Sequence, residues 1–113
     1  MNKIEAILRP ERVGIVAEAL AGAGFVGLNV VNVTGRGVQK GIQHTGRGGM
    51  NIQVDMLTKT KLEIVCKDAD TEKVIGIILE NAQTGAIGDG KIFITPVAQV
   101  IRVRTGERGE KAL

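Results

Sequence analysis

The chain has 113 residues, a formal net charge of +3 and 43% hydrophobic residues, with 16 glycines, two phenylalanines and neither tyrosine nor tryptophan. One domain fits that length, with a modest core that association would help to stabilise, and the mild positive charge leans towards anionic ligands. The missing aromatics exclude a base-stacking nucleic-acid platform, while a lone Cys66, no membrane-length hydrophobic run and an opening interrupted by Glu5 and Arg9 point to a cytoplasmic protein without a signal peptide.

Ile4, Ala6 and Leu8 alternate with Lys3, Glu5 and Ile7, which predicts a short strand. Pro10 suits the first position of a helix carrying Val13, Val16, Ala17 and Leu20 at helical spacing, stopped by Gly22 and Gly24. The Val-rich run from Gly27 to Thr34 has period two and predicts a second strand. From Gly35 to Thr58, glycine recurs at 35, 37, 41, 46, 48 and 49, predicting a long loop without secondary structure of its own. His44 in this loop has no Cys or His partner for a metal site. Lys61 to Cys66 predicts a third strand ending on a small buried thiol. Asp68 or Asp70 then caps a helix whose buried stripe is Val74, Ile77, Ile78 and Ala82. Lys91 to Ile94 predicts a fourth strand, with Pro96 where regular pairing weakens.

The order is βαββαβ, an α+β ferredoxin-like sandwich in which one antiparallel sheet carries two helices on one face. Both strand parities look apolar, Ile92 and Ile94 against Phe93 and Val30 against Val31 and Val33. The uncovered face is therefore expected to be apolar and to find a partner.

Chemistry concentrates in Gln83-Thr84-Gly85-Ala86-Ile87-Gly88-Asp89-Gly90-Lys91, followed by Arg102 and Arg104 at one side-chain parity. Glycine lets successive N–H groups converge on an anion, lysine adds a point charge, and arginine adds planar forks of donors. A polyphosphate cradle is one reading of this loop, and an ordinary tight turn between helix and strand is the other. The long loop also has two readings, a tolerated insertion or a functional segment. Ordering it costs on the order of 1–2 kcal/mol per residue, so a small ligand can restrain its base while a protein partner organises its tip.

Thr84 to Ile94 and Ile101 to Glu107 resemble the nucleotide loop and C-terminal signature of PII nitrogen signal-transduction proteins, and Lys3 to Pro10 and Gly35 to Gly41 resemble the same family in the same order. The resemblance implies a single domain over 1–113 with an effector loop at 36–58, a nucleotide loop at 83–91 and a C-terminal segment at 102–113. It implies a homotrimer packed through the open sheet face, with ATP or ADP between neighbouring subunits. Gly88, Asp89, Gly90 and Lys91 would cradle the phosphates, Arg102 and Arg104 would add charge-assisted contacts, and Gly35, Arg36, Gly37 and Val38 would open the long loop against them. Val38 stands where the family usually has a basic residue. Asn29, where Thr is common, and Ile64 match positions near the adenine.

By the same resemblance Gln39 completes the shell of an Mg²⁺ held by ATP, leaving two positions for 2-oxoglutarate. Lys40 and Gly41 flank that ligand, Lys59 neutralises its distant carboxylate and Arg9 assists. Arg47, Gly48, Met50 and Asn51 form the partner-binding tip. The tyrosine that many relatives nucleotidylate aligns with Asn51, so regulation is expected through ligands alone. The expected target is an ammonium transporter that reversibly recruits the protein to the membrane, the alternative being nitrogenase or another enzyme of nitrogen metabolism. Asp89 is expected to fix the turn rather than activate water, so the expected class is a regulator, with a nucleotide-hydrolysing enzyme as the alternative.

Overall fold

The alternation of the opening residues becomes β1 (Asn2–Leu8), with Ile4, Ala6 and Leu8 buried on one face. The computed structural model describes residues 1–36 and 56–113 in full, and the backbone of 43–45 and 51–53. Pro10 opens a 3-10 turn, Pro10–Arg12, that runs directly into α1 (Val13–Gly22). Val16 and Leu20 are fully buried on the inner side of α1, and Gly24 at φ +95 turns the chain away. Beyond it lie β2 (Asn29–Arg36), β3 (Gln43–Thr45), β4 (Asn51–Gln53) and β5 (Met56–Cys66), then α2 (Thr71–Ala82) and β6 (Lys91–Pro96).

The main sheet has the order β2-β5-β1-β6, and each of its neighbouring pairs is antiparallel. Both helices lie on the face presented by Ile4, Ala6, Leu8, Leu62 and Ile64, and their buried stripes close the core with Val16, Leu20, Val74 and Ile78. This is the ferredoxin-like α+β sandwich that the element order predicts. Cys66 is buried at the end of β5, as expected for a small apolar residue.

The strands on either side of the long loop differ from the sequence expectation. β2 starts at Asn29 rather than Gly27 and reaches Arg36, and β5 begins at Met56 rather than Lys61, so pairing continues out to Arg36 opposite Met56. β3 and β4 pair with each other inside the supposedly structureless segment, His44 opposite Ile52. The physical reason is visible in Thr58-Lys59-Thr60-Lys61, whose strict alternation extends the period of β5 and outweighs Gly35 in β2.

Two further expectations are corrected. Asp70 occupies the position before α2 without a side-chain capping bond, because the 3-10 turn Asp68–Asp70 gives it a helical backbone instead of the extended one a cap requires. Asp68 instead accepts from the Met1 amino group at 2.8 Å and from Asn2 Nδ2 at 3.2 Å. The open sheet face is not uniformly apolar either. Its centre carries Lys3, Glu5, Lys61 and Glu63, joined by Lys3–Glu5 at 2.9 Å, Lys3–Glu63 at 3.5 Å and Lys61–Glu63 at 3.0 Å. Val31 and Phe93 flank this stripe, each about half exposed.

Candidate functional site

The glycine loop between α2 and β6 is built from the inside by one carboxylate. Asp89 accepts from the Thr84 N–H at 2.8 Å, the Gly85 N–H at 2.9 Å and the Thr84 hydroxyl. These bonds, the hydroxyl first and then the two N–H groups, hold the Asp89 carboxyl well below the usual carboxylate range, with Arg9 adding to the effect. Gly85, Gly88 and Gly90 have φ of +86, +104 and +98, the region that glycine alone enters at low cost. At Gly90 the need is absolute, because a Cβ there would stand 1.6 Å from the Ile7 carbonyl oxygen. The loop thus lies directly on the end of β1.

Two cations from the sheet clamp it from outside. Arg9, just past β1, donates through Nε to Asp89 at 3.1 Å and through a terminal nitrogen to the Ile87 carbonyl at 2.8 Å. Lys59, on β5, donates to the Gly88 carbonyl at 2.6 Å. Burial, and then the neighbouring Arg9 charge, pull the Lys59 pKa down from its ordinary value. Lys91 follows at once as the first residue of β6, paired with Ile7.

The residues that the resemblance would set near an adenine lie at a separate hollow. Asn29 and Ile64 line a cavity of about 360 Å³ with Lys3, Gly27, Leu28, Glu63, Val65 and Leu113. Asn29 is exposed and pairs with Glu63 across the sheet. Ile64 is 4% exposed with its side chain in the core, so its backbone edge is what it can show a base. Gly35 and Arg36 are the last two residues of β2.

Arg102 and Arg104 do not share a strand face. Ile101 makes a single bridge with Arg108 and the chain turns at 103–105, because Gly106 at φ +72 lets its N–H reach back to the Arg102 carbonyl at 2.7 Å. Arg104 is exposed on that turn, whereas Arg102 is engaged within its own segment, with Glu107 Oε1 at 3.0 Å and the carbonyls of Lys111 and Leu113 at 3.1 and 3.2 Å. Gly37, Val38, Gln39, Lys40, Gly41, Arg47, Gly48 and Met50 lie outside the described residues, and Asn51 is described by its backbone in β4 alone.

Sequence reasoning missed Thr84 as the partner of Asp89, Lys3 and Glu63 as walls of the cavity that Asn29 lines, and Glu107 as the partner of Arg102. A hydroxyl and a carboxylate bracketing a glycine pair is a signal for side-chain bonds within a turn, so Thr84 was findable. The other three depend on contacts between strands or across a turn.

The family model described as Nitrogen regulatory protein P-II matches residues 1–107. Nitrogen regulatory protein P-II 2 of Methanothermobacter thermautotrophicus is 50% identical over 113 residues, covering 100% of this chain and 97% of that one. Nitrogen regulatory protein P-II of Azospirillum brasilense is 47% identical over 113 residues, 100% of both chains. Among solved structures, the crystal structure of Arabidopsis thaliana PII bound to citrate matches with a TM-score of 0.80 and 46% identity, covering 99% of this chain and 91% of that chain.

Proposed function

The chain belongs to the nitrogen regulatory protein P-II family, and from that premise we propose that it senses ATP or ADP together with 2-oxoglutarate and controls an ammonium transporter through residues 36–58. Membership makes it a nitrogen regulatory signalling protein, in a family of regulators rather than enzymes. The observation that carries the finer reading is the clamp of Arg9 and Lys59 on the glycine loop.

Asp89 and the Thr84 hydroxyl take the N–H groups of Thr84, Gly85 and Ala86, and those of Gly88 and Gly90 would meet phosphate oxygens, with Lys91 alongside as a point charge. The Asp89 carboxylate itself faces donors of the loop and Arg9, so its part is to fix the turn. Lys59 is the natural relay to the second ligand. A carboxylate is a stronger acceptor for an ammonium than the Gly88 carbonyl, and a 2-oxo acid reaching Lys59 would draw it from the nucleotide loop. Three residues before Lys59, β5 begins at Met56, opposite Arg36 where the long loop leaves the sheet. A change at Lys59 is therefore felt at the loop base. The citrate bound to the Arabidopsis relative supports a carboxylate effector.

Gln39 supplies a neutral amide oxygen, a donor suited to Mg²⁺, whose bound ion would present two positions to the oxo acid. A homotrimer through the open face would bring neighbouring subunits together around the nucleotide, with the exposed Arg104 within one subunit's reach of another's phosphates. No helix among the described residues is long and apolar enough to cross a membrane, and the proposed recruitment goes through the protein partner.

The test is calorimetric. ATP should bind the wild type and bind much more weakly to Arg104→Ala or Lys91→Ala, and 2-oxoglutarate should bind only with Mg-ATP present and not at all to Gln39→Ala. Absence of ATP binding to the wild type refutes the sensor reading. Equal 2-oxoglutarate affinity with and without Mg-ATP refutes the order of binding.

A further inference from the structure

The segment after β6 folds back onto the cavity that Asn29 lines. Gly109–Ala112 forms a 3-10 turn, anchored by the Gly109 N–H on the Val100 carbonyl at 2.9 Å, and it carries Leu113 to the cavity wall beside Lys3, Gly27, Leu28 and Glu63. Arg102 holds it there. One guanidinium nitrogen pairs with Glu107, another takes the carbonyls of Lys111 and Leu113, and the Thr105 hydroxyl fixes the same Glu107 oxygen at 3.0 Å. An arginine whose donors close its own segment has fewer left for any other anion.

We propose that residues 109–113 are a strap that competes with a nucleotide base for this cavity, with Arg102 as its latch. The inference rests on the nucleotide reading above. Entry of a base displaces Leu113, and Arg102 then exchanges the main-chain oxygens of Lys111 and Leu113 for the oxygens of a polyphosphate, which carries more negative charge for a guanidinium to meet. Strap release and recruitment of Arg102 are one event. The strap lowers nucleotide affinity by the cost of its displacement and keeps the basic segment closed when nucleotide is absent.

The test compares ATP titrations of the wild type with those of Glu107→Gln, Leu113→Ala and the double variant, alongside hydrogen exchange of residues 101–113 in the full wild-type chain. Loss of one charge-assisted latch bond corresponds to about a tenfold change in affinity. Glu107→Gln should bind ATP about tenfold more tightly, Leu113→Ala by less and the double variant at least as tightly as Glu107→Gln, and ATP should lower the protection of residues 109–113 in the wild type. Wild type that binds ATP with an affinity unchanged or weakened in the double variant, or with protection of 109–113 raised by ATP, overturns the strap and leaves the nucleotide reading standing. No ATP binding to any of the chains overturns both.

Discussion

Gly90→Ala should be far more damaging than an alanine placed at another positive-φ glycine of the same loop. At φ +98 a Cβ brings strain of about 1–3 kcal/mol on its own. It would also stand 1.6 Å from the Ile7 carbonyl oxygen and 2.7 Å from its carbon, and both atoms are backbone of a central strand. Since real Cβ contacts essentially never fall under 3.0 Å, the loop must lift from β1 by about 1.4 Å. A shift of that size stretches the 2.6 Å bond from Lys59 to the Gly88 carbonyl beyond hydrogen-bonding range. A bond to a charged group contributes about 1.5–3 kcal/mol, so with the strain the combined loss is about 2.5–6 kcal/mol. Gly85→Ala is the control, because it has φ +86 and nothing within 4 Å of its Cβ, so the backbone strain stands alone. Urea unfolding of the three chains at one fixed concentration gives the two differences, with the slope as a check on two-state behaviour. If Gly90→Ala and Gly85→Ala agree to within about 0.5 kcal/mol, the loop does not rest on β1 as described.

The remaining predictions address the charges. The folded-state pKa of Asp89 is depressed, so its contribution is complete above the ordinary carboxylate value near pH 4 and is lost as pH falls below it. Asp89→Asn should therefore be less stable than wild type at pH 6, with the gap closing towards pH 2; a gap independent of pH refutes the assignment. Lys59→Met keeps the stem but removes the ammonium, and should lower 2-oxoglutarate affinity about tenfold or more while changing ATP affinity less; equal oxo-acid affinity would remove Lys59 from that site. Arg47→Ala should abolish co-sedimentation with membranes containing the cognate ammonium transporter under ADP while leaving both small-molecule affinities unchanged, and retention of binding would point to a soluble target.

The fold was legible because its periods are clean. Ile4, Ala6 and Leu8 alternate without a break, the α2 stripe of Val74, Ile78 and Ala82 has helical spacing, and glycines follow both α1 and α2. The ends of β2 and β5 were read too short because glycine at 35 suggests a loop, whereas cross-strand pairing with Leu57 gives it a strand conformation. In the site, the glycines and Lys91 declared themselves by type and spacing. The clamp did not, since Arg9, Lys59 and Asp89 are far apart in sequence and meet only because β1 and β5 are neighbours. The shared side-chain parity of Arg102 and Arg104 was misread for the opposite reason. Their spacing of two mimics a strand, while Gly106 and the ion pair to Glu107 close a turn.

The charged stripe on the open sheet face bears directly on the proposed trimer. Burying an unpaired charge is costly, and a carboxylate or ammonium leaves water readily only with a partner already in place. Lys3, Glu5, Lys61 and Glu63 all occupy the parity that faces away from the helices, so the alternation that builds the core also gathers two cations and two anions on one surface. They are paired within the subunit before any partner arrives. Glu5, and then Glu63, raise the Lys3 pKa, while Lys61 lowers that of Glu63, so both stay ionised together. With its charges balanced internally, the face needs no counter-charge from a partner, and Val31 and Phe93 at the margins supply the apolar area for contact. A face charged at its centre can thus still be the face through which subunits pack.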